Sequence, residues 1–260
     1  MLTITNSAKA RLEAGELALC VGLRNARTVD VAKAMKTAGY DWLFIDMEHN
    51  TMHVDTAAQI AVAAQDAGIA PLVRVPGRAH HHATRVLDGG ALGVVVPHVE
   101  DATVAAAMVR NVRYPPTGRR SLTGAMPQVD FETHHLGEVV TAIDAATLLV
   151  LMIESPEGVA QADAIAAIDG VDALLIGTND LCMAMGIPGR LDHPDIVAAY
   201  EHVIAACRRH GKHPGMGGVY VLPLMERYIE MGMRLVLAGS DHGFMMSAAK
   251  SQAAALRDGA

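Results

Sequence analysis

Two acidic residues, Glu154 and Asp180, have the chemical type and the spacing of a metal-binding pair. They end or follow two consecutive apolar runs, 147–154 and 173–177, and both runs predict buried strands. Two carboxylates at neighbouring strand ends can share one hard divalent cation, with water and substrate oxygens completing its shell. The sequence contains no Cys/His spacing of the kind that binds structural zinc, so metals of the Mg or Mn type fit better. Spacing alone also allows a second interpretation, in which Glu154 caps the next helix and Asp180 begins its own.

A histidine and an arginine, His49 and Arg74, stand at the ends of two earlier apolar runs. His49 follows Asp46 and Glu48, and an imidazole with a pKa near neutrality is a natural proton shuttle. The guanidinium of Arg74 suits a substrate carboxylate or a developing oxyanion. The alternatives are a structural role for His49 and an ion pair between Arg74 and a strand-end acid.

The elements that position these residues are short apolar runs that alternate with helical patterns along the chain. Eight such strand–helix units in order predict an α/β fold, a single closed (β/α)8 barrel, whose active site lies at the carboxyl ends of the strands. A doubly wound open sheet is the alternative. The predicted strands are 17–23, 42–46, 71–75, 92–97, 147–154, 173–177, 213–217 and 234–239, and the predicted helices are 29–39, 55–68, 81–90, 101–112, 156–170, 194–211, 222–232 and 242–258.

Length and composition predict one domain over residues 1–260. No Gly/Ser/Pro-rich linker interrupts the chain, and the longest irregular stretch, 112–130, lies between the fourth and fifth predicted strands. The residues are 51% hydrophobic, and the formal net charge of −7 without a basic stripe argues against nucleic acid and anionic membrane as partners. No run of 18 apolar residues predicts a transmembrane span, and the first residues show no apolar core of the signal type. Three widely spaced cysteines (Cys20, Cys182 and Cys207) favour the reduced cytoplasm.

Beyond these patterns, seven segments in order resemble the HpcH/HpaI aldolase family, which includes 4-hydroxy-2-oxoheptanedioate aldolase and 2-dehydro-3-deoxyglucarate aldolase. The resemblance covers nearly the whole chain, from about residue 15 to residue 255. Its segments are DWLFIDMEH (41–49), LVRVPG (72–77), LDGGALGVVVPHVEDA (87–102), RYPPTGRRS (113–121), MIESPEGVAQADAI (152–165), GVDALLIGTNDLCMAMG (170–186) and LAGSDHGFM (237–245).

The resemblance implies a barrel of the phosphoenolpyruvate/pyruvate type with a divalent metal held by Glu154 and Asp180. It also implies that His49 is the catalytic histidine, that Arg74 binds substrate, and that Asp88 is the partner of the histidine. Asp88 precedes the fourth predicted strand, at the wrong end of its own barrel. Either that boundary differs, a neighbouring subunit supplies Asp88, or Asp88 is structural. Members of the family are commonly hexamers with exchanged C-terminal helices, so a homohexamer, arranged as a trimer of dimers, is the expected assembly.

The chain departs from the family pattern at three positions. Met152 stands where the family usually has a Gln that helps to bind substrate, and it removes a hydrogen-bonding group from the site. Met47 and Ser121 each stand where the family usually has Gly. These changes leave the implied metal ligands and base in place but put the usual substrate in doubt.

Together these observations predict a metal-dependent class II aldolase that joins or separates a pyruvate-type 2-oxo acid and an aldehyde. Mg, Mn or Co would stabilise the enolate, and backbone N–H groups of Thr178, Asn179 and Asp180 would hold the substrate carboxylate. No lysine ends a predicted strand, which argues against a Schiff-base aldolase. The alternatives are a citrate-lyase-like enzyme, a malyl-CoA-type lyase, a decarboxylase, or a non-catalytic metabolite-binding paralogue.

Overall fold

Eight parallel strands close into a barrel in sequence order, as a computed structural model that describes residues 2–258 shows. The predicted (β/α)8 barrel is therefore confirmed, and the open doubly wound sheet is wrong. Each predicted strand lies within one or two residues of an observed one. The strands are β1 (Ala18–Leu23), β2 (Trp42–Asp46), β3 (Ala70–Arg74), β4 (Gly93–Val96), β5 (Leu148–Ile153), β6 (Ala173–Gly177), β7 (His213–Gly217) and β8 (Leu235–Ser240).

Helices surround the barrel, and most agree with the predicted ones. They are α1 (Ser7–Glu13), α2 (Asp30–Thr37), α3 (Val54–Asp66), α4 (His80–Asp88), α5 (Ala102–Val112), α6 (Leu136–Ala146), α7 (Pro156–Ala160), α8 (Ala162–Ala166), α9 (Thr178–Ala184), α10 (Pro194–Arg209), α11 (Leu222–Met231) and α12 (Asp241–Asp258), with a short 3₁₀ helix at Pro127–Val129.

The predicted helix 156–170 is wrong as one element, because two short helices, α7 and α8, replace it. The helical geometry breaks at Gln161, where φ is −94° and ψ is 2°. Gly158 on α7 lies so close to the Val99 carbonyl that an added Cβ would come within 2.9 Å of that oxygen. This close packing fixes α7 against the loop after β4, and the chain turns before it continues as α8.

The core has two layers, one inside the barrel and one between the strands and the helices. Side chains such as Trp42, Leu72 and Val150 fill the interior, while the other faces of the strands pack under the helices. Strands buried on both faces explain why the runs are continuously apolar rather than alternating. Burial of each large aliphatic side chain contributes about 1.5–3 kcal/mol of transfer free energy.

Helix α1 closes the amino-terminal end of the barrel. Ala8 and Leu12 on its inner face are buried. Asn6 caps the helix and also donates its side-chain amide to the carbonyls of Leu92 and Ala146, at 3.0 and 2.7 Å. The barrel is therefore closed at this end, which leaves the carboxyl ends of the strands as its accessible mouth.

Helix α12 differs from the others because none of its described residues is buried. It leaves the barrel directly after β8 and exposes an apolar surface that includes Phe244, Met245 and Leu256. Within residues 2–258, no helix combines the length and the apolar character that spanning a bilayer requires.

Candidate active site

A cavity of about 220 Å³ opens at the carboxyl ends of the strands. Five of the predicted site residues line it, and Glu154 lies under its wall against Gly177. This is the rim on which the sequence predicted the polar groups to converge. The lining residues predicted from the sequence are His49, Arg74, Thr178, Asn179 and Asp180.

Arg74 is held by two acids from the end of β2. The strand register places Asp46 opposite Arg74, and the Asp46 carboxylate accepts hydrogen bonds from Nε at 2.9 Å and Nη2 at 2.7 Å. Glu48 lies 3.0 Å from Nη1. Burial opposes ionisation of Asp46, but the hydrogen bonds from Arg74 outweigh it, so the pKa of Asp46 lies below its usual value. Arg74 therefore forms the ion pair with strand-end acids that the sequence allowed, and its guanidinium also lines the cavity.

Glu154 is a buried carboxylate among other acids. Burial, with the nearby charges of Asp180 and Glu48, raises the pKa of Glu154 to about 7, even though the backbone N–H and the charge of His98 favour its ionised form. Gly177 makes room for it, because a Cβ there would lie 2.5 Å from Glu154 Oε1. A buried acid with a raised pKa beside two other carboxylates marks this cluster as a candidate functional site.

His98 belongs to this site, although the sequence interpretation gave it no role. Its backbone N–H donates to Glu154 Oε2 at 2.8 Å. Its ring lies between two acids, with Nδ1 at 3.3 Å from Glu154 Oε2 and Nε2 at 3.3 Å from Glu48 Oε1. The backbone φ of 54° turns the ring back toward the strands. Its position directly after β4 was the one available signal in the sequence.

His49 is the acid–base candidate of the cavity. Its backbone N–H donates to Asp46 Oδ1 at 3.2 Å, and its half-exposed ring has Nε2 at 3.9 Å from Glu48 Oε2. A ring that is exposed to the cavity and not fixed by a short hydrogen bond can reorient toward a substrate.

The start of α9 offers backbone rather than hydroxyl groups to the cavity. The Thr178 hydroxyl is already engaged, at 2.7 Å from both the Tyr200 hydroxyl and the Gly217 carbonyl. No side chain caps the helix at Gly177, and the exposed Asn179 and Asp180 occupy its first turn. The amino terminus of the helix is thus available to an anionic group.

The donor set fits a hard divalent cation bound mainly through substrate and water. Within residues 2–258, no three His, Cys, Asp or Glu side chains converge as a ready-made metal cage. Glu154 and Asp180 supply two carboxylates, and Mg²⁺-type ions commonly use one or two protein carboxylates with substrate oxygens. The charges of Asp180 and Glu48 act unfavourably on the ionised Glu154, and a cation bound among these acids would offset that repulsion.

Asp88 lies away from this cavity, at the end of α4 and at the opposite end of the barrel. Its carboxylate accepts a hydrogen bond at 2.7 Å from Arg120, whose guanidinium stacks over Tyr114 and is fully buried. Two of the three Arg120 nitrogens, Nε and Nη1, have no hydrogen-bond partner among the described residues. The predicted order, with Asp88 before β4, is therefore correct, and Asp88 and His49 lie at opposite ends of the same barrel.

The three departures from the family pattern fall in different places. Met152 is buried in the barrel and lines the cavity, where Phe44, Leu175 and Leu237 give it an apolar floor. Met47 is half-buried, and Ser121 is exposed on the stretch after α5. Of the three, Met152 alone changes the polarity of the cavity wall.

Comparisons with known proteins agree with this geometry. The family model described as HpcH/HpaI aldolase/citrate lyase matches residues 23–248. A 4-hydroxy-4-methyl-2-oxoglutarate aldolase from Hapsidospora irregularis is 40% identical over 85% of this chain and 82% of its own. A hydroxypyruvate/pyruvate aldolase from Pseudomonas aeruginosa is 34% identical over 98% and 94%. The crystal structure of an HpcH/HpaI aldolase from Desulfitobacterium hafniense superposes with a TM-score of 0.91, at 28% identity over 96% of each chain.

Proposed function

The chain belongs to the HpcH/HpaI aldolase/citrate lyase family, and from this premise we propose a metal-dependent class II aldolase acting on a pyruvate-type 2-oxo acid and an aldehyde. Membership confirms the family that the motifs predicted and the predicted class of enzyme, a carbon–carbon lyase. The observation that carries the proposal is that the buried Glu154 lies near enough to Asp180 for their charges to interact, beside a cavity that Asp180, Arg74 and His49 line.

Glu154 and Asp180 would hold the divalent ion, with Mg, Mn or Co as candidates. When bound, such an ion supplies Lewis-acid polarisation of the 2-oxo carbonyl and stabilises the enolate. His98 supports this arrangement, because its N–H bond and its ring fix one oxygen of Glu154. The other oxygen, Oε1, faces Gly177, whose missing side chain keeps that space open.

The remaining groups of the cavity orient the substrate and move the proton. The amino terminus of α9, with backbone N–H groups of Thr178, Asn179 and Asp180, receives the carboxylate of the 2-oxo acid. Arg74 places fixed positive charge near the oxygen on which negative charge develops, and Asp46 prevents it from rotating away. In the cleavage direction His49 accepts the proton of the substrate hydroxyl while the carbon–carbon bond breaks. It then gives that proton to the enolate carbon, which completes pyruvate. In the joining direction His49 removes a methyl proton of pyruvate and gives it to the new alkoxide.

We further propose that the active enzyme is a homohexamer, a trimer of dimers, in which α12 packs on a neighbouring subunit. An 18-residue helix without one buried residue, carrying exposed Phe244 and Met245, supports this packing. In such an assembly Asp88 of one subunit can face His49 of another and hold its ring. The Asp88 side chain is about 41% exposed, so a neighbouring subunit can reach it.

Mixing two inactive variants tests the shared site. If Asp88 acts across the interface, His49→Asn and Asp88→Asn each lose activity alone, and hybrids formed by joint refolding regain part of it. The hybrid then contains some sites with both native residues. If Asp88→Asn keeps full activity, or if hybrids of verified mixed composition stay inactive, the shared-site proposal is wrong.

Two further expectations remain proposals, namely that residues 1–260 act as one domain and that the enzyme works in the cytoplasm. The second is supported by Cys20, Cys182 and Cys207, which are all free and buried. Buried thiols without disulfide partners suit a reducing compartment.

The experiment for the proposed function is removal and return of the metal. The purified protein is treated with a chelator, and release of pyruvate from a 4-hydroxy-2-oxo acid is followed before and after Mg, Mn or Co is added. We expect activity to disappear and then return with at least one ion. Full turnover by protein shown by elemental analysis to be metal-free would refute the scheme.

A further inference from the structure

Tyr200 places a buried hydroxyl against the first turn of α9. Its oxygen lies 2.7 Å from the Thr178 hydroxyl, and both side chains are fully buried. Thr178 is the first residue of α9, two residues before the proposed metal ligand Asp180. Helix α10, which carries Tyr200, otherwise buries apolar residues such as Ile196 and Val203. A hydroxyl in such an apolar layer needs a hydrogen-bond partner, because its desolvation without one is costly.

The direction of these hydrogen bonds follows from the chemistry of three groups. The Gly217 carbonyl can only accept, so the Thr178 hydroxyl uses its single hydrogen to donate to it, at 2.7 Å. The Tyr200 hydroxyl must therefore donate to Thr178. Burial raises the pKa of Tyr200, which keeps this hydroxyl protonated and able to donate. The result is a buried chain of hydrogen bonds that runs from α10 through the start of α9 to the end of β7.

The neighbouring side chain on α9 makes a weaker contact. Asn179 donates its amide to the Gly218 carbonyl, but this bond is 3.3 Å long and exposed. The two bonds of Thr178 are shorter and buried, and a hydrogen bond is electrostatically stronger away from water. The buried chain therefore holds the first turn of α9 more firmly than Asn179 does. The position of Asp180, and of the backbone N–H groups beside it, depends on that turn.

A second buried tyrosine, Tyr228 on α11, stacks on Tyr200. The ring centroids are 3.7 Å apart, and the angle between the ring planes is 17°. The Tyr228 hydroxyl donates to the Leu191 carbonyl at 2.6 Å, away from α9. The two tyrosines are therefore equally buried and similarly hydrogen-bonded, but the hydroxyl of Tyr200 is the one that bonds to the start of α9.

We infer that Tyr200 is a positioning residue of the active site. Through the Thr178 hydroxyl it fixes the turn that presents Asp180 to the metal and the adjacent backbone N–H groups to the substrate carboxylate. This inference rests on the proposed aldolase function. It places the effect of Tyr200 on the binding of metal and substrate rather than on proton transfer, because His49 and Arg74 stand at the ends of other strands.

Tyr200→Phe and Tyr228→Phe are matched variants, because each removes one hydrogen-bonded hydroxyl from the same buried stack. A purely structural role would lower both thermal midpoints and leave binding alike. Calorimetric titration measures Mn²⁺ affinity, and kinetics at saturating Mn²⁺ separate kcat from KM for a 4-hydroxy-2-oxo acid. We expect Tyr200→Phe to weaken Mn²⁺ binding and to raise KM, each by about 2- to 10-fold, the value of a lost neutral hydrogen bond, with a smaller change in kcat. Tyr228→Phe should keep both constants near those of wild type.

A double-mutant cycle tests whether the effect passes through Thr178. Thr178→Val removes the hydroxyl and keeps the shape, whereas Thr178→Ser keeps the hydroxyl and should bind Mn²⁺ nearly as wild type does. We expect Tyr200→Phe to add little to the loss that Thr178→Val already causes. Equal Mn²⁺ affinities and KM values in Tyr200→Phe and Tyr228→Phe overturn the inference, and so do losses that simply add in the cycle. If wild type neither binds Mn²⁺ nor releases pyruvate, the proposed function itself fails, and the inference fails with it.

Discussion

Replacement of Gly177 by alanine tests whether the space beside Glu154 is essential to the site. The added Cβ would lie 2.5 Å from Glu154 Oε1, 2.7 Å from Cγ and 3.0 Å from Cδ. To reach an ordinary contact of 3.4 Å, the carboxylate oxygen must move by about 0.9 Å. Glu154 has little freedom to do so, because His98 holds its other oxygen at 2.8 Å.

The expected magnitude follows from the geometry that a hard cation demands. Mg²⁺ requires oxygens at about 2.0–2.1 Å in a nearly ideal octahedron, and a misplacement of about 1 Å in a catalytic constellation can cost about 10²-fold in rate. We therefore expect Gly177→Ala to weaken Mn²⁺ binding and to lower kcat by about 10²-fold. The backbone gives no second cause, since Gly177 has φ −84° and ψ 85°, away from the left-handed region.

The assays are calorimetric titration with Mn²⁺ and a kinetic measurement at saturating metal, with thermal melting to verify the fold. Gly217→Ala is the matched control, because Gly217 ends the neighbouring strand and an added Cβ would meet its nearest atoms at an ordinary 3.4–3.7 Å. We expect a much smaller loss from this control. Equal losses from the two variants, or unchanged Mn²⁺ affinity in Gly177→Ala, would show that the reasoning is wrong.

Three other predictions concern stability and the cavity floor. Asp46→Asn should destabilise the fold by about 3–5 kcal/mol in urea unfolding, because it leaves the buried Arg74 guanidinium without its bidentate partner. The pKa of Asp46 is lowered in the folded state, so its ionised form adds to the free energy of unfolding at a pH well above the ordinary pKa of 3.8. This stabilisation disappears as the pH falls below that value. The urea midpoints of wild type and Asp46→Asn should therefore converge in acid. Asn6→Ala should cost about 2–4 kcal/mol, since two buried carbonyls and a helix cap lose their partner, and an unchanged midpoint would contradict this. Met152→Gln should change KM for the 2-oxo acid without loss of Mn²⁺ binding, because it alters the cavity wall and leaves Glu154 and Asp180 in place, and loss of that binding would contradict it.

Most of the barrel could be predicted because its strands are buried on both faces. Such strands appear in the sequence as continuous apolar runs, and the strand over Trp42–Asp46 and the strand over Ala173–Gly177 agree with the predicted ranges residue for residue. Helix α6 was not predicted, although Val139, Ala142, Ile143 and Ala146 form its buried face. It follows a long irregular stretch, and no strand directly precedes it to mark a repeating unit.

The site residues that could be predicted from the sequence are those that stand at the ends of strands. Arg74 and Asp180 line the cavity because parallel strands deliver their last residues to one rim. The role of His98 could not be predicted, since it depends on a left-handed backbone conformation and on a contact with Glu154, 56 residues away. The hydrogen bond between the Thr178 and Tyr200 hydroxyls could not be predicted either, because Tyr200 lies on a later helix.

The most direct test of the central claim is hydrogen exchange at the methyl group of pyruvate, followed by NMR in D₂O without any acceptor. Enolate formation alone exchanges these protons, so the measurement does not depend on which acceptor the enzyme prefers. We predict rapid exchange with wild type and Mg, Mn or Co, and only background exchange after chelation or in Glu154→Gln and Asp180→Asn. Exchange that continues at the wild-type rate in metal-free protein, or in either variant, would contradict the account.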